Sequence, residues 1–84
     1  MKNKKNIENQ VKNIIADIAG CDVDEIRLEH NLTHDIGLDS LDAVDAVIRF
    51  EEMFDIETIP DEDIAKWDTV FDIVEYLKKK TNKK

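Results

Sequence analysis

The sequence is nearly without the residues that break helices or cross-link chains. Two glycines and one proline in 84 residues leave no supply of turns for a loop-rich β fold. A single cysteine, Cys21, excludes an intramolecular disulfide and any all-cysteine zinc site. It suits a reducing compartment and reads as a small, half-buried apolar residue. No apolar run approaches the length of a membrane span, and the opening MKNKKNIENQ lacks the apolar core of a secretory leader. A soluble, cytoplasmic protein without stable membrane insertion is therefore expected. Hydrophobic residues make up 42%, enough for a globule, and the length allows a single domain, 1–84, with a modest core. A large buried active site is excluded on size.

Positive charge is missing from the middle of the chain. Four lysines lie within residues 1–12 and five within 78–84, leaving only Arg27, Arg49 and Lys66 between them. From Asp35 to Asp63, eleven acids face the single Arg49, a local balance of −10 within a total of −8. Such a field repels nucleic acid and anionic head groups and attracts basic surfaces. The ordinary reading of an acidic run is a solvated helix face.

Periodicity predicts helices. Ile7, Val11, Ile14, Ile15 and Ile18 form one apolar stripe, stopped at Gly20. Residues 21–38 hold scattered apolar side chains without a period, a long loop with a short turn near DVDEI. Asp39 is a suitable N-cap for a second helix, with Asp42 three residues on. Leu41, Val44, Val47, Ile48, Phe50 and Phe54 supply its apolar residues. Pro60 sits at the start of a short helix, 61–66. Asp68 or Thr69 caps a last helix, whose buried side is Val70, Ile73, Val74 and Leu77. The expected fold is all-α: a four-helix bundle of three main helices and a short third one, with a long loop between helices 1 and 2. The ends, 1–5 and 80–84, are expected to fray.

One serine stands out. In HDIGLDSLDAVDAV, residues 34–47, Ser40 follows an aspartate at a helix start. A nucleophilic serine needs a base and an oxyanion site. His30 and His34 show no partner pattern, and no glycine-rich elbow surrounds the serine. No catalytic residue is expected, and the chain reads as a non-enzyme. Most isolated serines at such a position are simply tolerated there. The third reading is an exposed hydroxyl for another enzyme to modify.

The run GLDSLDAV, then FEEMF at helical spacing, then IPDEDIAKWDTV and a terminal helix, resembles the acyl carrier protein family from about Ile7 to Leu77. The resemblance implies that Ser40 receives a covalent 4′-phosphopantetheine arm, taken from coenzyme A by a phosphopantetheinyl transferase. Acyl intermediates of fatty-acid or related lipid and polyketide biosynthesis would travel on it as thioesters. It implies a recognition face of Asp35, Asp39, Leu41, Asp42, Val44, Asp45, Ile48 and Glu52. Basic-surfaced partners such as acyl transferases and ketoacyl synthases would meet this face, with the carrier a monomer. Asp35, Asp39 and Asp42 would also repel the arm's phosphate. It implies an acyl pocket, for which the candidate lining is Val44, Val47, Phe50, Phe54, Ile59, Ile64, Trp67 and Val74.

The chain departs from the family pattern in side chains and in linker length. Ala46 stands where a leucine is usual, Trp67 where an aliphatic residue is, and Met53 where an acid is. Arg49 places a cation inside the acidic helix, and the linker FDIETIPD is one residue longer than usual. Three alternatives are open. An aminoacyl or peptidyl carrier usually has fewer acids around its serine. An unmodified acidic adaptor would bind basic proteins. A cation module using DVDE or PDED lacks the spacing and central glycine of an EF-hand; no metal site is expected.

Overall fold

A computed structural model describes residues 3–81. Four α-helices follow in order: α1 (Asn3–Ala19), α2 (Ser40–Phe54), α3 (Asp61–Ile64) and α4 (Val70–Thr81), with a short 3-10 helix at Val23–Glu25. Among the described residues there is no strand, only an isolated antiparallel bridge between Asn31 and Thr69. The all-α expectation holds. Of the ends expected to fray, 1–5 and 80–84, residues 3–5 and 80–81 belong to α1 and α4, and 1–2 and 82–84 lie outside the described residues. The third helix is shorter than its expected span of 61–66. It ends at Ile64 because the backbone tightens there: the N–H groups of Lys66 and Trp67 donate three residues back, to Asp63 and Ile64.

The α1 stripe is the centre of the core. Val11 and Ile15 are fully buried, and Ile7 and Ile14 nearly so. They pack with Ala46 and Phe50 of α2 and Val70, Ile73, Val74 and Leu77 of α4. Gly20 ends α1 with φ +78°, a left-handed conformation open to glycine, and its N–H donates to the Ala16 carbonyl at 2.8 Å. Gly37 makes a second left-handed turn, φ +88°, just before α2. The stop of α2 at Asp55 has no sequence signal of its own. Asp55 adopts φ +54°, a position aspartate tolerates better than most residues, and its N–H bonds to Glu51.

The long loop is held at both ends. Ile26 and Leu38 enter the core, while Val23, Leu28, Leu32 and Ile36 pack half-buried against it. Backbone bonds stitch it to the start of α4: Leu32 N–H to Asp68, Val70 N–H to His30 and Phe71 N–H to Leu28. The Asn31 side-chain oxygen accepts from the N–H groups of Thr33 and His34 and from the Thr33 hydroxyl. A loop pinned in this way delivers the chain to Asp39 in one orientation.

Capping fixes both long C-terminal helices. The N–H of Asp42 donates to the Asp39 carboxylate at 2.9 Å, and the N–H of Asp39 donates back to Asp42 at 3.2 Å. At α4, Asp72 accepts from the N–H groups of Asp68 and Thr69, which holds its carboxyl below the usual 3.8. Lys78, Lys79 and Lys80 lie in its last turn, at the negative end of the dipole. Replacing Asp39 by alanine is expected to destabilise the fold by about 1 kcal/mol, read by urea unfolding.

Tyr76, the only tyrosine, is half-buried and donates to Asp63 of α3 at 2.8 Å. Burial, then the bond to Asp63, pushes its phenol from 10.0 up to about 12. Its folded value lies above its unfolded one, so the associated stability is present below about 10 and lost as pH rises through about 12. Phenolate absorbance is therefore expected to appear near 12 in the native protein and near 10 in the urea-unfolded chain.

Candidate functional site

Asp39 is the N-cap of α2, so Ser40 is its first helical residue. Ser40 is exposed and stands at the positive end of a 15-residue helix. The carboxylates on either side are engaged with backbone: Asp39 and Asp42 with each other's N–H, and Asp35 with the N–H of Asn31 at 2.7 Å. Their charges stay at this corner, but their orientations are locked. His30 turns Nδ1 to the N–H of Arg27, and the backbone N–H of His34 donates to Asn31. Neither imidazole is hydrogen-bonded to Ser40, so this corner presents a hydroxyl without a local base.

Beside Ser40 a cavity of about 260 Å³ opens between α2, the long loop and the residues around α3. Its walls are apolar except at the rim, where Thr33, Asp39 and Ser40 are exposed. Of the expected lining, Phe50, Ile64 and Trp67 do line it. Val44, Val47, Phe54, Ile59 and Val74 do not. Val44 faces outward at 57% exposure, and Val47 and Ile59 are buried elsewhere. Phe54 borders a separate hollow with Ile56 and Lys80, and Val74 packs in the core beneath α1. In their place stand Ile15, Leu32, Leu38, Ala43, Ala46 and Ile73. Helical spacing was the usable signal for Ala43, three residues on from Ser40; Ala46, six residues on, carried none. Nothing in sequence marked Ile15, which comes from another helix.

The opposite face of α2 is unusually apolar for a solvent-facing surface. Leu41, Val44 and Ile48, spaced three and four apart, are 77%, 57% and 49% exposed. Met53 is also exposed. Asp42, Asp45 and Glu52 accompany this row, so most of the expected recognition residues share one helix; Asp35 lies in the loop. Arg49 alters the electrostatics. Its guanidinium forks onto both oxygens of Asp45, at 3.1 and 3.3 Å, and reaches Asp17 of α1 at 2.6 Å. These two hydrogen-bonded carboxylates hold the Arg49 pKa above its ordinary value. Asp45 is thus partly neutralised within the molecule. Glu51 serves the fold, accepting the N–H of Ile59 at 2.8 Å and so anchoring the linker after α2.

Comparison with known proteins places this arrangement. The model of the phosphopantetheine attachment site family matches residues 9–77. Acyl carrier proteins of Bdellovibrio bacteriovorus and Clostridium acetobutylicum are each 47% identical to this chain, covering 88% and 86% of it and 94% and 92% of their own lengths. The acyl carrier protein of Akkermansia muciniphila is 44% identical, over 87% of this chain and 90% of its own. In fold, the solution structure of the apo doublet acyl carrier protein from prodigiosin biosynthesis aligns with 92% of this chain at TM-score 0.74 and 20% identity. This chain spans 37% of that longer one. The chain therefore belongs to the phosphopantetheine-binding family of acyl carrier proteins, which are not enzymes but carriers of a covalent 4′-phosphopantetheine group.

Proposed function

We propose that Ser40 is the attachment point and that the chain carries acyl intermediates of fatty-acid or related lipid and polyketide biosynthesis between enzymes. The observation that carries this reading is the position of Ser40: exposed, first in α2, and fixed by the Asp39–Asp42 capping box. The surroundings fit the group. An exposed hydroxyl is accessible to a transferase, the helix dipole favours a phosphodiester there, and an apolar cavity adjoins it. When bound, the arm supplies the terminal thiol on which acyl groups ride as thioesters. Cys21 is a poor substitute, because burial and then Glu25 and Asp22 push its thiol pKa up.

The residues of this chain then have separable roles. Ser40 Oγ forms a bond to the phosphorus of coenzyme A as the pyrophosphate bond breaks and the nucleotide half departs. The hydroxyl proton passes to a base on the transferase, since neither histidine here is bonded to Ser40. Asp39 and Asp42 hold the helix start still and oppose collapse of a phosphate onto it. Leu41, Val44 and Ile48 offer apolar contact to partners, and Asp35, Asp42 and Glu52 steer basic surfaces toward it. Apolar cargo that enters the cavity beside Ser40 gains about 0.8 kcal/mol per buried methylene.

Co-expression with a phosphopantetheinyl transferase is expected to raise the intact mass by one arm, and Ser40→Ala to abolish the gain. An unchanged mass in the wild type would favour an unmodified acidic adaptor instead. Capture by the transferase should weaken steeply as salt is raised. Arg49→Gln makes the net charge one unit more negative than −8 and frees Asp45 and Asp17, so it is expected to steepen that salt dependence.

A further inference from the structure

Two of the sequence departures, the small Ala46 and the bulky Trp67, line the same cavity. Ser40, Ala43, Ala46 and Phe50 of α2 line its wall. At the helical rise, Ser40 and Phe50 stand about 15 Å apart along the axis. The rim near Ser40 is exposed, whereas Phe50 and Ile73 are buried. The two alanines put little bulk into this wall, and Phe50 and Trp67 are its largest side chains. Trp67 is braced on two sides. Its ring stands edge-on to Phe50 at 6.3 Å and 74°, and to Tyr76 at 5.4 Å and 70°. The Tyr76 hydroxyl in turn ties α4 to Asp63 of α3.

We propose that Trp67, backed by Phe50 and Tyr76, is the end stop of this cavity and sets the length of linear acyl chain that the carrier can sheath. The inference rests on Ser40 being the attachment point, whose rim position lets its cargo turn back into the apolar walls. A cavity of about 260 Å³ is bounded in size and takes a chain of medium length, on the order of octanoyl. Methylenes up to that length leave water; those beyond it stay outside. Admitting more would part the edge contacts of Trp67 or break the Tyr76–Asp63 bond, which closely packed interiors resist.

The test loads Ser40 from acetyl-, butyryl-, hexanoyl-, octanoyl-, decanoyl- and dodecanoyl-coenzyme A, with each product verified by intact mass. Melting temperature and tryptophan emission are then recorded; Trp67 is the only tryptophan, so emission reports the stop itself. Melting temperature is expected to climb with chain length and level off near octanoyl, with a blue shift of emission that saturates at the same length. Trp67→Leu should move the melting plateau to longer chains, and Ala46→Leu, which narrows the wall above the stop, to shorter ones. Circular dichroism checks that each variant folds, and either variant alone suffices for the comparison. A plateau unmoved in the folded variants overturns the proposal, as does a wild-type melting temperature still climbing at dodecanoyl. A full emission shift with the unacylated arm also overturns it, since the arm would then fill the cavity. Absence of loading overturns the Ser40 reading and this one with it, and appears in the mass before any lengths are compared.

Discussion

The paired hydrogen bonds between Asp39 and Asp42 decide where α2 begins, and so the rotational phase of every residue after it. With Ser40 as first residue, the cavity side of the helix runs from the exposed Ser40 past Ala43 and Ala46 to the buried Phe50. Another side carries Leu41, Val44 and Ile48 into solvent. A start displaced by one residue would rotate the helix by about 100° relative to its cap and mix these faces. The serine, the cavity and the apolar outer row are thus three consequences of a single local constraint.

That constraint acts only because the chain reaches Asp39 in a fixed direction. The loop before it has little regular structure, yet Leu38 and Ile26 enter the core and backbone bonds tie its middle to the start of α4. Gly37 makes the final turn with a left-handed backbone. α1 contacts both α2 and α4 and so serves as the common wall. A small core ordinarily tolerates voids poorly, because lining atoms lose their neighbours. Among the aliphatic side chains of the wall here stand two aromatic residues, Phe50 and Trp67, which support one another, and Tyr76 backs Trp67 from behind.

Charge is distributed with similar economy. The acids around Ser40 are oriented by backbone N–H groups, and their field is retained because no cation faces them in these bonds. One turn after Asp45, Arg49 draws that carboxylate toward α1. Surface ion pairs of this kind contribute little to stability but redirect charge. The acidic helix therefore has a strongly negative start and a muted middle, with exposed aliphatic side chains between.

Local sequence determined much of this protein. The isoleucine stripe set α1, Asp39 and Asp42 set the start of α2, Thr69 and Asp72 that of α4, and GLDSLDAV identified the family to which the comparisons assign it. These features depend on neighbours within about four residues, where capping and periodicity act. The tertiary structure alone decided which apolar residues meet. Val44 could serve the core or the surface by its type and spacing, and only the docking of α1 and α4 put it outside. Ile15, Leu38, Trp67 and Ile73 reach one cavity from four separate segments, and Arg49 finds Asp17 thirty-two residues away. Such contacts depend on the relative placement of helices, which is set by the packing of the whole core and not by any one segment's pattern.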